Sequence, residues 1–131
     1  MSMRRALEKY DNLEELLLDK DLAALGDSYV NFVYSLAMSQ KLKRPMGTKV
    51  DNQTLAKAVS KSGLRKFLPH RVDRHARGNA AEALLVFGWL SGLLELGDFT
   101  DTLSREADSS TAFANLIENI LKELGATHEG K

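Results

Sequence analysis

Residues 21–41 read DLAALGDSYVNFVYSLAMSQK, and this stretch decides the fold class. Between Asp21 and Lys41 the only Asp, Glu, Lys, Arg or His is Asp27. The apolar residues recur every three or four positions, which is the period of an α-helix. They are Leu22, Leu25, Tyr29, Phe32, Val33 and Leu36. We therefore predict one long helix from about Asp21 to Lys41, with these residues as a single apolar stripe.

The helical period continues along the chain, and no segment alternates for long like a half-buried strand. A helix over 3–18, broken near Asp11 as a cap, is predicted before this long helix. A basic loop at 42–50 follows the long helix and leads to a helix from Asp51 to Ser62, stopped by Gly63. The C-terminal half is predicted to hold a turn at 64–68 and helices at 73–96 (closed by Gly97), 99–107 and 110–124 (Ser109 or Ser110 as cap, Gly125 as stop). The sequence thus predicts a single all-α domain over 1–131, with a frayed tail from about 126 that includes His128.

Composition narrows the class of protein. Apolar residues make up 44% of the chain, enough for a folded core. The absence of cysteine excludes disulfides and thiolate zinc sites and favours a cytoplasmic protein, and we expect no signal peptide. The most apolar stretch, 80–96, is short for a bilayer span and contains Glu82 and Glu95, so we interpret it as a core helix and expect no membrane association.

The net charge is zero, but its distribution is uneven. Residues 41–77 contain eleven Lys and Arg against two Asp and Glu, whereas the segments on either side are acidic. A basic segment of this kind can attract a polyanion even on a neutral molecule. The alternative, a solvated basic surface paired with the acidic ends, stays open on charge alone.

Each of the two longest predicted helices carries one solitary acid. Asp27 lies in the first, and Glu82 is the only charged residue between Arg77 and Glu95. A carboxylate in apolar surroundings is costly unless it is paired, protonated or bound to metal. If the helices pack together, the two acids can converge on a divalent cation such as Mg²⁺, which prefers oxygen ligands. Spacing alone does not distinguish this from two unrelated acids at helix edges.

Three blocks of the sequence resemble the ribonuclease III family, in the family's order. Residues 22–27 (LAALGD) resemble the signature helix, residues 50–64 (VDNQTLAKAVSKSGL) the stretch that follows it, and residues 79–90 (NAAEALLVFGWL) a later helix. The resemblance implies an α-helical endonuclease domain that forms a homodimer and cuts double-stranded RNA with Mg²⁺, or with Mn²⁺ in its place, and without an organic cofactor. Asp27 then matches the catalytic Asp, and Glu82 the metal-binding Glu. The chain lacks the separate double-stranded-RNA-binding domain of the full-length enzymes, and this shortness resembles the Mini-ribonuclease III branch, which matures ribosomal RNA precursors, or a related small archaeal-type branch.

The chain departs from the family pattern at two acids. Ala23 and Asn79 occupy the positions of a Glu and an Asp. Asn79 shares a helix face with Glu82, and its amide oxygen could hold water or metal. These changes leave open a second interpretation, a catalytically degenerate RNA- or ribosome-binding member of the fold. A third is a helical interaction protein with no nucleic-acid role.

The basic segment is interpreted as the RNA contact. The resemblance to enzymes of duplex RNA makes phosphate contacts the expected role of its cations. The candidates are Lys41, Lys43, Arg44 and Lys49 in the loop, and Arg71, Arg74 and Arg77 upstream of Glu82. His70 and His75 are not expected to bind metal, since they do not share a helix face and Mg²⁺ prefers oxygen. Gly26, in mid-helix, indicates either close approach of another helix, from this subunit or a second one, or a tolerated glycine.

Overall fold

A computed structural model describes residues 7–126. This range contains six α-helices, two 3₁₀ turns and no strand, so the predicted all-α class is confirmed. The helices are α1 (Leu13–Leu17), α2 (Lys20–Leu42), α3 (Asn52–Ser62), α4 (Arg74–Leu90), α5 (Leu96–Arg105) and α6 (Ser109–Glu123), and the turns are Leu7–Lys9 and Leu64–Phe67. The start of the predicted first helix, residues 3–6, and the predicted tail with His128 lie outside the described residues.

Helix α4 lies at the centre of the bundle. All seven residues from Ala80 to Val86 are buried, which is the burial of a helix surrounded by others on every side. Its largest contact is with α2, while α3 packs on both α4 and α6, and α5 packs on α2. The two helices that carry the solitary acids are therefore direct neighbours.

Gly26 lets the backbones of α2 and α4 touch. A Cβ atom at this position would lie 2.1 Å from the carbonyl oxygen of Glu82. No side chain fits in that space, so glycine is required for this approach. The close approach predicted for Gly26 is thus confirmed, and the approaching helix belongs to the same chain rather than to a second subunit.

The end of the second long helix was predicted wrongly. Helix α4 ends at Leu90, and Gly92, at φ 86°, turns the chain back so that the amides of Leu93 and Leu94 both donate to the carbonyl of Gly88. Gly97 does not close α4 but lies inside α5. The prediction failed because leucines on both sides of Gly92 continue the apolar pattern through a break that depends on backbone conformation.

Two predicted N-caps were also wrong by one or two residues. Asn12, not Asp11, caps α1 by accepting a hydrogen bond from the Glu15 amide, and the helix that follows has only five residues. Asp108, not Ser109 or Ser110, caps α6. The side-chain carboxyl and amide oxygens at these positions serve the same purpose as the predicted groups, which is to accept from a free amide of the first turn.

Three predicted helix boundaries are confirmed. Asp51 caps α3, and Gly63 stops it in the left-handed conformation at φ 82°. Gly125, at φ 72°, follows the last helix in the same way. Across residues 7–126, no helix combines the length and apolarity that a membrane crossing requires.

The predicted apolar stripe of α2 is divided between core and surface. Leu22, Tyr29 and Val33 are buried, but Leu25 and Phe32 are 43% and 54% exposed. The core face of α2 includes small residues that the stripe omitted, because α4 approaches too closely for large ones. The displaced large residues form part of an exposed apolar surface.

Candidate active site

The structure brings the two solitary acids together. Helices α2 and α4 meet at Gly26, so the next residue, Asp27, lies beside Glu82. Asp27 is exposed, whereas Glu82 is only 8% exposed. The pKa of Glu82 is raised to about 8, first because burial disfavours its charged form, then because its protonated form hydrogen-bonds to Asp27, and last because the two charges repel.

An open cavity of about 470 Å³ surrounds this pair. Its lining consists of Lys20, Ala23, Ala24, Asp27, Asn52, His75, Asn79 and Glu82. Asn79 thus lies beside the two acids, as its helical spacing from Glu82 predicted. Lys20 and Asn52, which reach the cavity from the first turns of α2 and α3, were not predicted, because no pattern in the sequence distinguishes them. Only tertiary packing brings those two helix ends to α4.

The donor set of the cavity fits a hard divalent cation. Among residues 7–126 the only ion pairs are Lys9–Asp19 and Lys61–Asp108, so neither acid of the cavity is neutralised by a lysine or arginine. Two carboxylates with an adjacent amide offer the oxygen ligands that Mg²⁺ prefers, together with space for its waters. The protein supplies few ligands: within the described range, no three His, Cys, Asp or Glu side chains cluster as a metal site.

Position 23 explains the small number of ligands. Ala23 is 5% exposed and lines the cavity, at the position where the resemblance described above implies a glutamate. Its methyl group leaves room that a carboxylate would otherwise fill. Any cation held by Asp27 and Glu82 therefore keeps more water than it would with a third carboxylate.

A neighbour missed by the sequence analysis contacts Asp27 directly. The Asn31 side-chain amide donates to an oxygen of Asp27 at 3.2 Å. The two residues are four positions apart on α2 and therefore lie one above the other. The spacing could have identified the pair, but not that the other end of Asn31 is also engaged.

The predicted RNA-contacting residues lie in the loop after α2, at the end of α2 itself and around the start of α4. Lys43, Arg44 and Lys49 are exposed in the loop between α2 and α3, as predicted. Lys41 instead belongs to the last turn of α2, where its ammonium group donates to the carbonyl of Glu106 at 2.9 Å. The prediction grouped Lys41 with the loop cations although it was the last residue of the predicted helix, and the helix continues to Leu42.

Arg74 and Arg77 line a basic groove, defined here as the 340 Å³ cavity between α3 and the start of α4. Its lining consists of Gln53, Ala56, Lys57, Ser60, Lys61, Arg74 and Arg77. Arg74 and Arg77 flank His75 of the acid cavity in sequence, so the groove begins next to that cavity. Arg71 is exposed just before α4 and lines neither the basic groove nor the cavity around Asp27 and Glu82.

The two central histidines differ in position. His75 lines the acid cavity, whereas His70 is exposed in the connector before α4 and lines none of the cavities described. The two side chains are therefore not brought together.

A comparison with protein families assigns the chain to a class. The family model described as Ribonuclease III matches residues 20–127, which is most of the chain. The chain therefore belongs to the ribonuclease III family. A search of curated proteins finds no match.

Proposed function

We propose that this protein is a Mg²⁺-dependent endoribonuclease that cleaves double-stranded RNA. Membership of the ribonuclease III family supports an RNA-processing function. The observation that carries the finer proposal is the meeting of Asp27 and Glu82, from helices far apart in sequence, in one open cavity without a neutralising ion pair. Structured or ribosomal RNA precursors in the cytoplasm are the proposed substrates.

Asp27 and Glu82 would hold the cation, with the amide oxygen of Asn79 as a third donor. When bound, Mg²⁺ supplies an activated water and stabilises the leaving oxygen of phosphodiester hydrolysis; Mn²⁺ has the same preference for oxygen ligands and octahedral coordination. Glu82 must lose its proton to serve as a ligand, and a nearby dication favours that loss. Lys20 and His75 line the same cavity and are placed to bind the scissile phosphate.

The basic groove and the loop would bind backbone phosphates of the RNA on either side of the scissile phosphate. The groove presents Lys57, Arg74 and Arg77, and none of these forms an ion pair with a described acid. Cations without an acidic partner can exchange their counterions for phosphates, and this exchange makes RNA affinity fall steeply as salt rises.

We further propose that the protein acts as a homodimer, so that two sites cut the two strands. Leu25 and Phe32 lie on one face of α2 with Tyr29, and Trp89 of α4 stacks on Tyr29 with ring centroids 4.7 Å apart. Leu25, Phe32 and Trp89 are 43%, 54% and 40% exposed. An exposed group of large apolar side chains of this kind is typical of a subunit interface.

A second candidate is a non-catalytic RNA- or ribosome-binding protein of the same family. Two observations favour it: Ala23 and Asn79 replace two family acids, and no third acid or histidine joins the pair as a metal cluster within residues 7–126. Such a protein would keep the basic groove and lose the chemistry.

Incubation with duplex RNA and Mg²⁺ separates the two candidates. The enzyme cuts RNA, and Asp27→Asn or Glu82→Gln abolishes cutting while leaving the fold intact. Glu118→Gln, at an exposed position on α6, is the matched control and retains full cleavage. Retarded but intact RNA with the unaltered protein would establish the binder instead, and cleavage retained in Glu82→Gln would remove the metal assignment.

A further inference from the structure

Helix α2 presents a ladder of polar side chains to the basic loop. Asp27, Asn31, Ser35 and Ser39 follow one another at four-residue spacing, which places them in one line along the helix. The loop segment 46–50 runs along this line. Its residues alternate between half-buried at 46, 48 and 50 and exposed at 47 and 49, as in an extended strand with one face covered.

The three residues of this line that follow Asp27 each bind the loop backbone. The Ser39 hydroxyl donates to the Met46 carbonyl at 3.2 Å and accepts from its amide at 3.0 Å. The Ser35 hydroxyl does the same with Thr48, at 2.8 and 2.9 Å. These bonds fix the register of the loop against α2 and leave Lys49 exposed.

Asn31 lies next to Asp27 in this line, and its side chain bonds both to the loop and to Asp27. Its amide oxygen accepts from the Val50 amide at 2.9 Å, and its amide nitrogen donates to Asp27 at 3.2 Å. The two ends cannot be exchanged, because a flipped amide would set donor against donor and oxygen against carboxylate. One side chain thus joins the candidate metal ligand to the basic loop.

We propose that Asn31 is a positioning residue that orients the Asp27 carboxylate for the divalent cation and ties it to the basic loop. This inference rests on the proposed function. A carboxylate that binds a metal is held in place by hydrogen bonds from its neighbours, and losing such a bond weakens the site. Because the same amide holds Val50, cation binding at Asp27 and ordering of the loop are linked and favour each other.

The first test measures cation affinity without RNA. Titration calorimetry with Mg²⁺ and with Mn²⁺ compares the unaltered protein with Asn31→Ala, for which we expect about tenfold weaker binding. Ser35→Ala removes two hydrogen bonds to the loop without touching Asp27, so it should weaken cation binding less than Asn31→Ala does. Glu118→Gln, at an exposed position on α6, is the control and leaves cation affinity unchanged. Cleavage by Asn31→Ala recovers when the Mg²⁺ concentration is raised by about the same factor, which a misfolded variant would not show.

The second test is free of metal. The amide resonance of Val50 is compared between the unaltered protein and Asp27→Ala, with Glu118→Gln as control. We expect a shift in Asp27→Ala alone, transmitted through Asn31, and no such shift when Asn31 is already alanine.

The outcomes distinguish the two proposals. Cation binding that Asn31→Ala retains in full, or a Val50 resonance indifferent to Asp27, overturns the role of Asn31 and leaves the proposed function standing. An unaltered protein that binds neither Mg²⁺ nor Mn²⁺ overturns the proposed function and this inference with it.

Discussion

At the residue scale, the carboxyl of Glu82 makes the stability of the metal-free protein depend on pH. Its pKa is raised from 4.5 to about 8, mainly by burial, so the folded state binds this proton more tightly than the unfolded state. The contribution of this proton to the free energy of unfolding is therefore largest below about pH 4.5. It is lost as pH rises towards 8, at about 1.4 kcal/mol for each pKa unit. Denaturant unfolding in a chelator at several pH values measures this slope.

Two variants isolate the effect. Glu82→Gln should remove this part of the pH dependence, whereas Glu118→Gln should retain it. Saturating Mg²⁺ should also flatten the slope, because the cation favours the ionised carboxyl. A slope equal in both variants would show that Glu82 has an ordinary pKa.

Gly26 sets the distance between α2 and α4, and Gly26→Ala should be severely destabilising. The new methyl group would collide with a backbone carbonyl, which cannot move aside as a side chain can. We expect a loss of about 3 kcal/mol in the free energy of unfolding, together with loss of cleavage. Thermal or urea unfolding measures the loss.

Gly78, in α4, provides the comparison. A Cβ atom there would meet nothing within 4 Å, so Gly78→Ala should stabilise the helix by up to about 1 kcal/mol. Equal effects of the two substitutions would contradict the close approach at Gly26.

Individual residues were predictable where a residue type is improbable in its surroundings. Asp27 and Glu82 could be identified because solitary acids in apolar helices are costly, and Gly26 because glycine weakens a helix. Lys20 and Asn31 could not, because a lysine at a helix start and an asparagine in mid-helix are ordinary until the fold provides their partners.

At the scale of elements, the two glycines near the end of α4 have different roles. Gly92 is in the left-handed conformation at φ 86°, so Gly92→Ala should cost about 1–2 kcal/mol. Gly97 lies inside α5 with nothing within 4 Å of a Cβ atom, so Gly97→Ala should be neutral or slightly stabilising. Chemical denaturation of both variants checks this order, and the reverse order would place the helix end at Gly97 after all.

The helices could be predicted from the period of their apolar residues. Their ends depend on which side chain caps the first turn and which glycine stops the last. The boundaries at Asp51 and Gly63 were found because the chain offers one good cap and one stop there. Near α4 it offers two glycines, and near the start of α6 an acid and two serines. Choosing among them requires the dihedral angles and hydrogen bonds of the fold.

At the scale of the whole molecule, the exposed apolar side chains predict a dimer that one charge should disrupt. Phe32→Asp places a carboxylate in the proposed interface, which should give monomers by sedimentation and weaken duplex cleavage. Leu42→Asp is the control, because Leu42 is 53% exposed, like Phe32 at 54%, but lies about 15 Å further along α2. Dimers retained in Phe32→Asp would exclude this face as the interface.

The direct backbone contact at Gly26 separates the architecture of the site from its chemistry. Since main-chain atoms hold the helices at their spacing, positions 23 and 79 can gain or lose acids without moving the residues that remain. If Asp27 and Glu82 hold a cation as proposed, single substitutions at these two positions would change how firmly it is held, or would end catalysis and keep the scaffold. The same freedom makes those two positions the natural places to engineer a tighter or a silent nuclease.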